Sequence, residues 1–197
     1  MPIKSICVFC GSKPGHVSDY AQQAFDLGKI LAETGIKLVY GGGHSGLMGM
    51  VADGCLTFSG DVTGVIPDFL SRVEMAHKNV KNMHIVSCMH TRKRMMGELS
   101  DAFIILPGGV GTMEELFEVW SWSQLGQHRK PIGLLNIKAY YTPLLTFMDK
   151  MRDQGFIAAK HRDLLITHDN PSEIIKLIKN FEHPGAVINL EGNSAKH

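Results

Sequence analysis

The stretch KLVYGGGHSGLMGMVADGCLTF, Lys37 to Phe58, joins a short apolar run to a helix-length segment through three consecutive glycines. Lys37 to Tyr40 reads as a buried strand, and Leu47 to Phe58 as a helix ending before Gly60. The same unit recurs along the chain. Ile3 to Phe9 is a strand, followed by a polar loop from Gly11 to His16. Ser18 is a candidate cap for a helix running to about Thr34 and closed by Gly35. Val62 to Ile66 is a third strand, stopped by Pro67, and His84 to Cys88 a fourth. Met89 to Ser100 reads as a helix. Ala102 to Leu106 is a strand entering Pro-Gly-Gly, and a long helix spans Thr112 to Leu125. Further strands at Ile132 to Leu135 and Leu164 to Thr167 alternate with helices at Tyr141 to Gln154 and Ser172 to Phe181. Strands of buried type alternating with helices imply parallel pairing through right-handed crossovers. The expected architecture is a single-domain α/β fold, a doubly wound parallel sheet with helices on both faces. Residues 1–183 are the expected domain, and the polar residues 184–197 a flexible tail.

The 197 residues carry 20 Lys plus Arg against 19 Asp plus Glu, a formal net charge of +1. That balance argues against a broad nucleic-acid surface or a polybasic membrane surface. At 44% hydrophobic residues the composition is that of a globular chain, not a disordered one. No apolar run reaches the roughly 18 residues that a transmembrane helix needs. The N-terminus has no secretory h-region, so the expected location is the cytoplasm, with all four cysteines reduced. Cys7 and Cys10 form a C-x-x-C, but three residues apart in a strand they point to opposite faces. All four cysteines read as buried small hydrophobes.

In doubly wound sheets, ligands bind beyond the carboxyl ends of the strands. Three glycine-bearing stretches follow strands there: Gly11-Ser12, Gly41 to Gly46, and Pro107 to Glu115. Ser12, Gly42, Gly43 and Gly46 form a candidate phosphate or nucleotide loop, since glycine lets backbone N–H groups approach an anion at a helix start. Gly41-x-Gly43-x-x-Gly46 has dinucleotide-fingerprint spacing, but it follows the second strand, and the acid it would need is available only at Asp68. In PGGVGTMEEL, glycines 108, 109 and 111 free the backbone to wrap an anion, with Thr112 at the helix start. Thr112-x-x-Glu115 has a second reading as a capping box, with Glu115 only reaching back to the helix N-terminus. Spacing leaves both open. Arg92, Lys93 and Arg94 cannot share one helix face, so at most two enter a cleft. The ten histidines form no metal-binding pattern, and neither a metal nor a cofactor is expected.

With those residues in place, the chain resembles the LONELY GUY family of cytokinin riboside 5′-monophosphate phosphoribohydrolases. The resemblance rests on Pro107-Gly108-Gly109-Val110-Gly111-Thr112-Met113-Glu114-Glu115 and on Met89-His90-Thr91-Arg92-Lys93. SICVFCGS, LVYGGGHSGLMGMVAD, VTGVIP, LSDAFIILPGG, EELFEVW and QLGQHRKPIGLLN extend it over roughly Lys4 to Thr167. It implies a homodimeric Rossmann-like fold that cleaves a nucleoside 5′-monophosphate to free base and ribose 5-phosphate. Arg92 and Glu115 would be the catalytic pair. Gly109, Val110, Gly111, Thr112, Met113 and Glu114 would hold the nucleotide, chiefly its phosphate, with Lys93, Glu74 and Ser121 also binding substrate. Thr91 departs from the usual Glu of the arginine motif, and Ser121 stands where Thr is common. Members are often labelled lysine decarboxylases, but nothing here resembles a pyridoxal-phosphate lysine context.

A carboxylate beside the anomeric carbon stabilises an oxocarbenium-like transition state and orients water. Glu115 is the candidate, and a helix N-terminus would favour its ionised form. Arg92 could stabilise the departing base, bind phosphate or pair with the carboxylate. Two rival readings remain: a general purine 5′-monophosphate nucleosidase acting on AMP, and a non-catalytic nucleotide carrier or sensor.

Overall fold

Among the described residues, seven strands, β1 (Ser5–Phe9), β2 (Lys37–Tyr40), β3 (Val62–Pro67), β4 (Asn82–Val86), β5 (Ala102–Ile105), β6 (Ile132–Leu135) and β7 (Leu165–His168), pair in one sheet of order β4-β3-β2-β1-β5-β6-β7. Every pairing between these strands is parallel. The computed structural model describes residues 2–73 and 76–185. The expected tail lies outside the described residues from 186 onward.

Parallel strands hide both faces, and β1, β5 and β6 are buried along their whole lengths. Helices α1 (Ser18–Glu33), α2 (Gly46–Thr57) and α8 (Pro171–Lys179) cover one face, where Leu27, Leu31, Val51 and Ile174 meet Ile6, Val8, Leu38 and Ile104. On the opposite face lie α4 (Met89–Glu98), α5 (Val110–Leu125) and α6 (Thr142–Asp153). There Met96, Leu116, Val119 and Met148 meet Cys7, Phe9, Phe103 and Ile105. Cys7 and Cys10 fall in opposite cores, as their spacing required.

The strand–helix alternation is as expected, with instructive differences. Two short helices, α3 (Asp68–Val73) and α7 (Ala159–Arg162), had not been anticipated. Neither is long enough to show a helical repeat. β4 lies two residues earlier than the apolar run His84 to Cys88 suggests. Pairing sets its limits: Asn82 opposes Thr63, its side-chain amide donating to the Thr63 hydroxyl at 2.7 Å, and Val86 opposes Pro67. As an edge strand it leaves Ile85 exposed. Ser18 does not cap α1; it is the first helical residue, and Val17 precedes it with no side-chain cap. Cys88 is exposed at the start of α4, so only three of the four cysteines are buried.

The order reverses between β1 and β5. Their carboxyl ends open the crevice where a doubly wound sheet holds its ligand.

Candidate active site

A cleft of about 530 Å³ occupies that crevice. Loops after β1 and β5 form its floor, from Gly11 to Gly15 and from Pro107 to Thr112, while Arg92 and Glu115 reach it from α4 and α5. Backbone bonds bind the two loops together. The Gly11 N–H donates to the Pro107 carbonyl at 3.0 Å, and the Leu47 N–H to the Gly11 carbonyl at 3.0 Å.

Arg92 is buried, with its guanidinium held by neutral acceptors at two strand ends. Nε donates to the Val65 carbonyl and Nη2 to the Gly41 carbonyl, each at 3.1 Å. Gly41 is what permits this approach, because a Cβ there would lie 2.0 Å from Nη2. Nη1 stands 3.9 Å from Glu115 Oε1, an ion-pair distance too long for a hydrogen bond. The cation is thus anchored by the backbone and faces the carboxylate across a gap.

Glu115 is also buried, at 8% exposure. Burial pushes its carboxyl up to about 7; Arg92 pulls the other way, and Glu114 adds to the rise. The expectation of an ionised form favoured by the helix N-terminus is overturned. α5 starts at Val110 with Gly109 preceding it, so Glu115 sits in the second turn, beyond the strong dipole field. The same offset removes the capping-box reading, since Thr112 lies inside the helix rather than before it. Instead Thr112, 4% exposed, lines the cleft. Gly108 makes room for it, since a Cβ there would meet Thr112 Oγ1 at 2.1 Å.

A Cβ on Gly109 or Gly111 would meet nothing within 4 Å. The packing of the protein does not require glycine at either position. Both face open space at an uncapped helix start, where backbone N–H groups lack helical partners.

The family model described as possible lysine decarboxylase matches residues 48–178. A cytokinin riboside 5′-monophosphate phosphoribohydrolase of Arabidopsis thaliana is 46% identical over 179 residues, covering 91% of this chain and 82% of its own. A probable enzyme of the same description from Oryza sativa subsp. japonica is 47% identical over 176 residues, covering 89% and 79%. The chain belongs to this phosphoribohydrolase family. Among solved structures, the molybdenum cofactor binding protein of Rippkaea orientalis superposes with a TM-score of 0.68 at 21% identity, covering 91% of this chain and 98% of that one. The molybdenum cofactor carrier protein of Chlamydomonas reinhardtii gives 0.66 at 20% identity, covering 89% and 95%. These two likenesses concern the fold alone.

Within this phosphoribohydrolase family member, the cleft gathers Ser12, Arg92, Gly109, Val110, Gly111, Thr112, Glu114 and Glu115 from the expected residues. The others lie elsewhere. Lys93 is buried beside the cleft, with Nζ donating to Glu114 and, at 2.9 Å, to Glu118. Burial opposes its charge, but the two carboxylates prevail and raise its pKa. That is the opposite of what a nucleophilic lysine needs. Met113 is half-buried and packs against the core beneath α5, outside the cleft lining. Ser121 is exposed further along α5, outside the cleft lining. Gly42, at φ 80°, packs on Ile66 and Met83, and Gly43 bridges to Ala76. Gly46 presses on the Ser12–Lys13 backbone. These three glycines shape the loop that supports the cleft. Glu74 lies outside the described residues.

Among the lining residues that sequence reasoning did not single out are Lys13, Tyr20, Leu70 and Tyr140. Lys13 adjoins the Gly11-Ser12 stretch and could have been found from it. Tyr140 comes from a turn 29 residues beyond Gly111, and no local pattern marks it.

Proposed function

We propose that this protein hydrolyses the N-glycosidic bond of cytokinin riboside 5′-monophosphates, releasing the free base and ribose 5-phosphate. The observation that carries this reading is the pair Arg92 and Glu115, both buried and 3.9 Å apart, facing an open glycine cradle. The cradle of Gly109, Val110, Gly111 and Thr112 receives the 5′-phosphate on helix-start N–H groups. Lys13 and Ser12 stand at the rim. Leu47, Met48, Leu70 and Met89 supply apolar lining suited to a base.

The bond that breaks joins the anomeric carbon to the purine nitrogen, and its electron pair leaves with the base. Glu115, as carboxylate, faces the positive charge that develops on the sugar and takes a proton from the attacking water. The purine gains a proton as it departs. Arg92 stabilises negative charge, and its tie to the Gly41 and Val65 carbonyls fixes where that charge must sit. With the carboxyl near 7, Glu115 exchanges protons readily at neutral pH.

Lys93 serves the site by tying α4 to α5 through Glu114 and Glu118. Residues 1–183 act as one catalytic domain, working in the cytoplasm and without a cofactor. The protein works as a homodimer. Val110, Phe117 and Leu125 are exposed along α5, and Ser121 shares their side at helical spacing. A substrate role for Ser121 then acts across the dimer interface. AMP is a second substrate to the extent that the base pocket accepts an unsubstituted purine.

Chromatography after incubation with N6-isopentenyl-AMP, AMP and the matching nucleosides tests the reading. Base released from the monophosphates alone supports it. A Glu115→Gln variant that still binds nucleotide should lose about 10²–10⁴-fold in kcat. Failure of the folded wild type to release base from any of them overturns the enzyme reading in favour of a carrier.

A further inference from the structure

Tyr140 and Tyr141 are adjacent, and both hydroxyls end on the chain leaving β5. The Tyr141 hydroxyl donates to the Leu106 carbonyl at 2.6 Å, and the Tyr140 hydroxyl to the Gly108 carbonyl at 2.7 Å. Between them, the Pro107 carbonyl accepts the Gly11 N–H at 3.0 Å. Three successive carbonyls at the exit of β5 are therefore each held by a different donor. Tyr141 is buried and structural, whereas Tyr140 is 41% exposed and lines the cleft. Its ring is wedged edge-on between Tyr20 and Tyr141. The chain reaches this position through an unusual turn. Lys138 and Ala139 both adopt the left-handed region, at φ 51° and 59°, with neither being glycine. Non-glycine residues persist there where the surroundings over-determine them.

Holding a carbonyl matters most next to glycine. A peptide unit is planar and trans, so its N–H points opposite to its C=O. The peptide joining Gly108 to Gly109 is flanked by two residues with no Cβ to resist its rotation. Fixing the Gly108 carbonyl fixes the direction of the Gly109 N–H. We propose that Tyr140 is a positioning residue whose hydroxyl locks the Gly108–Gly109 peptide, so that the Gly109 N–H is set for the substrate phosphate before substrate arrives. The inference rests on the phosphate-cradle reading above.

The test is Tyr140→Phe, which keeps the ring wedged and removes only the hydroxyl. Its readouts are kinetics with AMP or N6-isopentenyl-AMP, binding of ribose 5-phosphate by calorimetry, and the amide resonance of Gly109 in ligand-free protein. The expected result is a KM raised about 3- to 10-fold, the change that one lost hydrogen bond produces, with kcat within about twofold of wild type. Ribose 5-phosphate binding should weaken by the same factor. The Gly109 resonance should shift or broaden before any ligand is added. A raised KM with an unmoved Gly109 resonance would mean that Tyr140 touches substrate directly, and would overturn the positioning role. Unchanged KM and binding would overturn it too. Ala139→Gly relieves the left-handed turn without touching the hydroxyl. It should keep the wild-type KM, and a loss of phosphate affinity there equal to that of Tyr140→Phe would assign the effect to the turn instead. Wild type that releases no base but binds ribose 5-phosphate refutes the catalytic reading while leaving this one testable by calorimetry and resonance.

Discussion

Glu115 shows how one side chain's surroundings set both stability and chemistry. Its carboxyl, raised by burial to about 7 against an ordinary value of 4.5, keeps its proton in the fold longer than in the unfolded chain. The stabilisation from that retained proton is complete below about pH 4.5 and is lost as pH rises through about 7. A tenfold difference in proton affinity is worth about 1.4 kcal/mol, so the swing is on the order of 3 kcal/mol. Glu115→Gln mimics the protonated form, so its melting temperature should gain on wild type between about pH 5 and pH 8. Thermal melts across that range check this, and a difference independent of pH would deny Glu115 its raised proton affinity. For wild type, kcat/KM should rise through about pH 7 and level off if the ionised carboxylate is the base, as proposed. The roles of Arg92 and Glu115 came from the family motif. Spacing could not pair them, because they lie 23 positions apart on different helices. Their meeting depends on Gly41, whose missing Cβ is invisible in any local pattern of hydrophobicity.

Among the elements, the closest meeting is between α1 and α2. A Cβ on Gly28 would lie 2.1 Å from the Val51 carbonyl oxygen, and one on Gly54 would lie 2.1 Å from the Phe25 carbonyl oxygen. Each helix presses a glycine on the backbone of the other, and backbone cannot swing aside as a side chain can. Gly54→Ala should therefore cost about 1–3 kcal/mol or more, although alanine favours helix by about 1 kcal/mol. Denaturant titration measures it, and a stabilised variant would contradict this account of the packing. The sequence made the strands and long helices legible because apolar runs and glycine stops coincide in them. Gly35 after α1 takes φ 66°, as a helix-closing glycine should. What stayed hidden was set by partners distant in sequence: the limits of β4 by β3, and the Tyr140 turn by a carbonyl on the β5 loop. α5 begins at Val110, two residues before the Thr112 hydroxyl that suggests a start, because the glycine-flanked backbone turns helical there without a side-chain cap.

At the scale of the molecule, the exposed side of α5 is where a second copy is proposed to sit. If the proposed dimer forms, Phe117→Glu should convert it to monomer in light scattering and lower activity, because Ser121 would no longer reach a neighbouring cleft. A monomeric wild type of full activity would dismiss the interface. The location of the cleft was legible as a whole, since the strand ends named it. Spacing alone did not separate the glycines at 41 to 46 from those at 108 to 111; their neighbours do, since Gly42 and Gly46 pack against other parts of the chain while Gly109 and Gly111 face open space. The strand order has one more consequence, for the chain as it is made. β1 has β2 on one side, a neighbour synthesised soon after it, and β5 on the other. Until residue 105 emerges, the second edge of a wholly buried strand has no native partner. At 5–20 residues per second, that interval lasts roughly 5–20 s. For that time the nascent protein carries an open, sticky edge, and the closing of the sheet that removes the edge is the same event that creates the cleft.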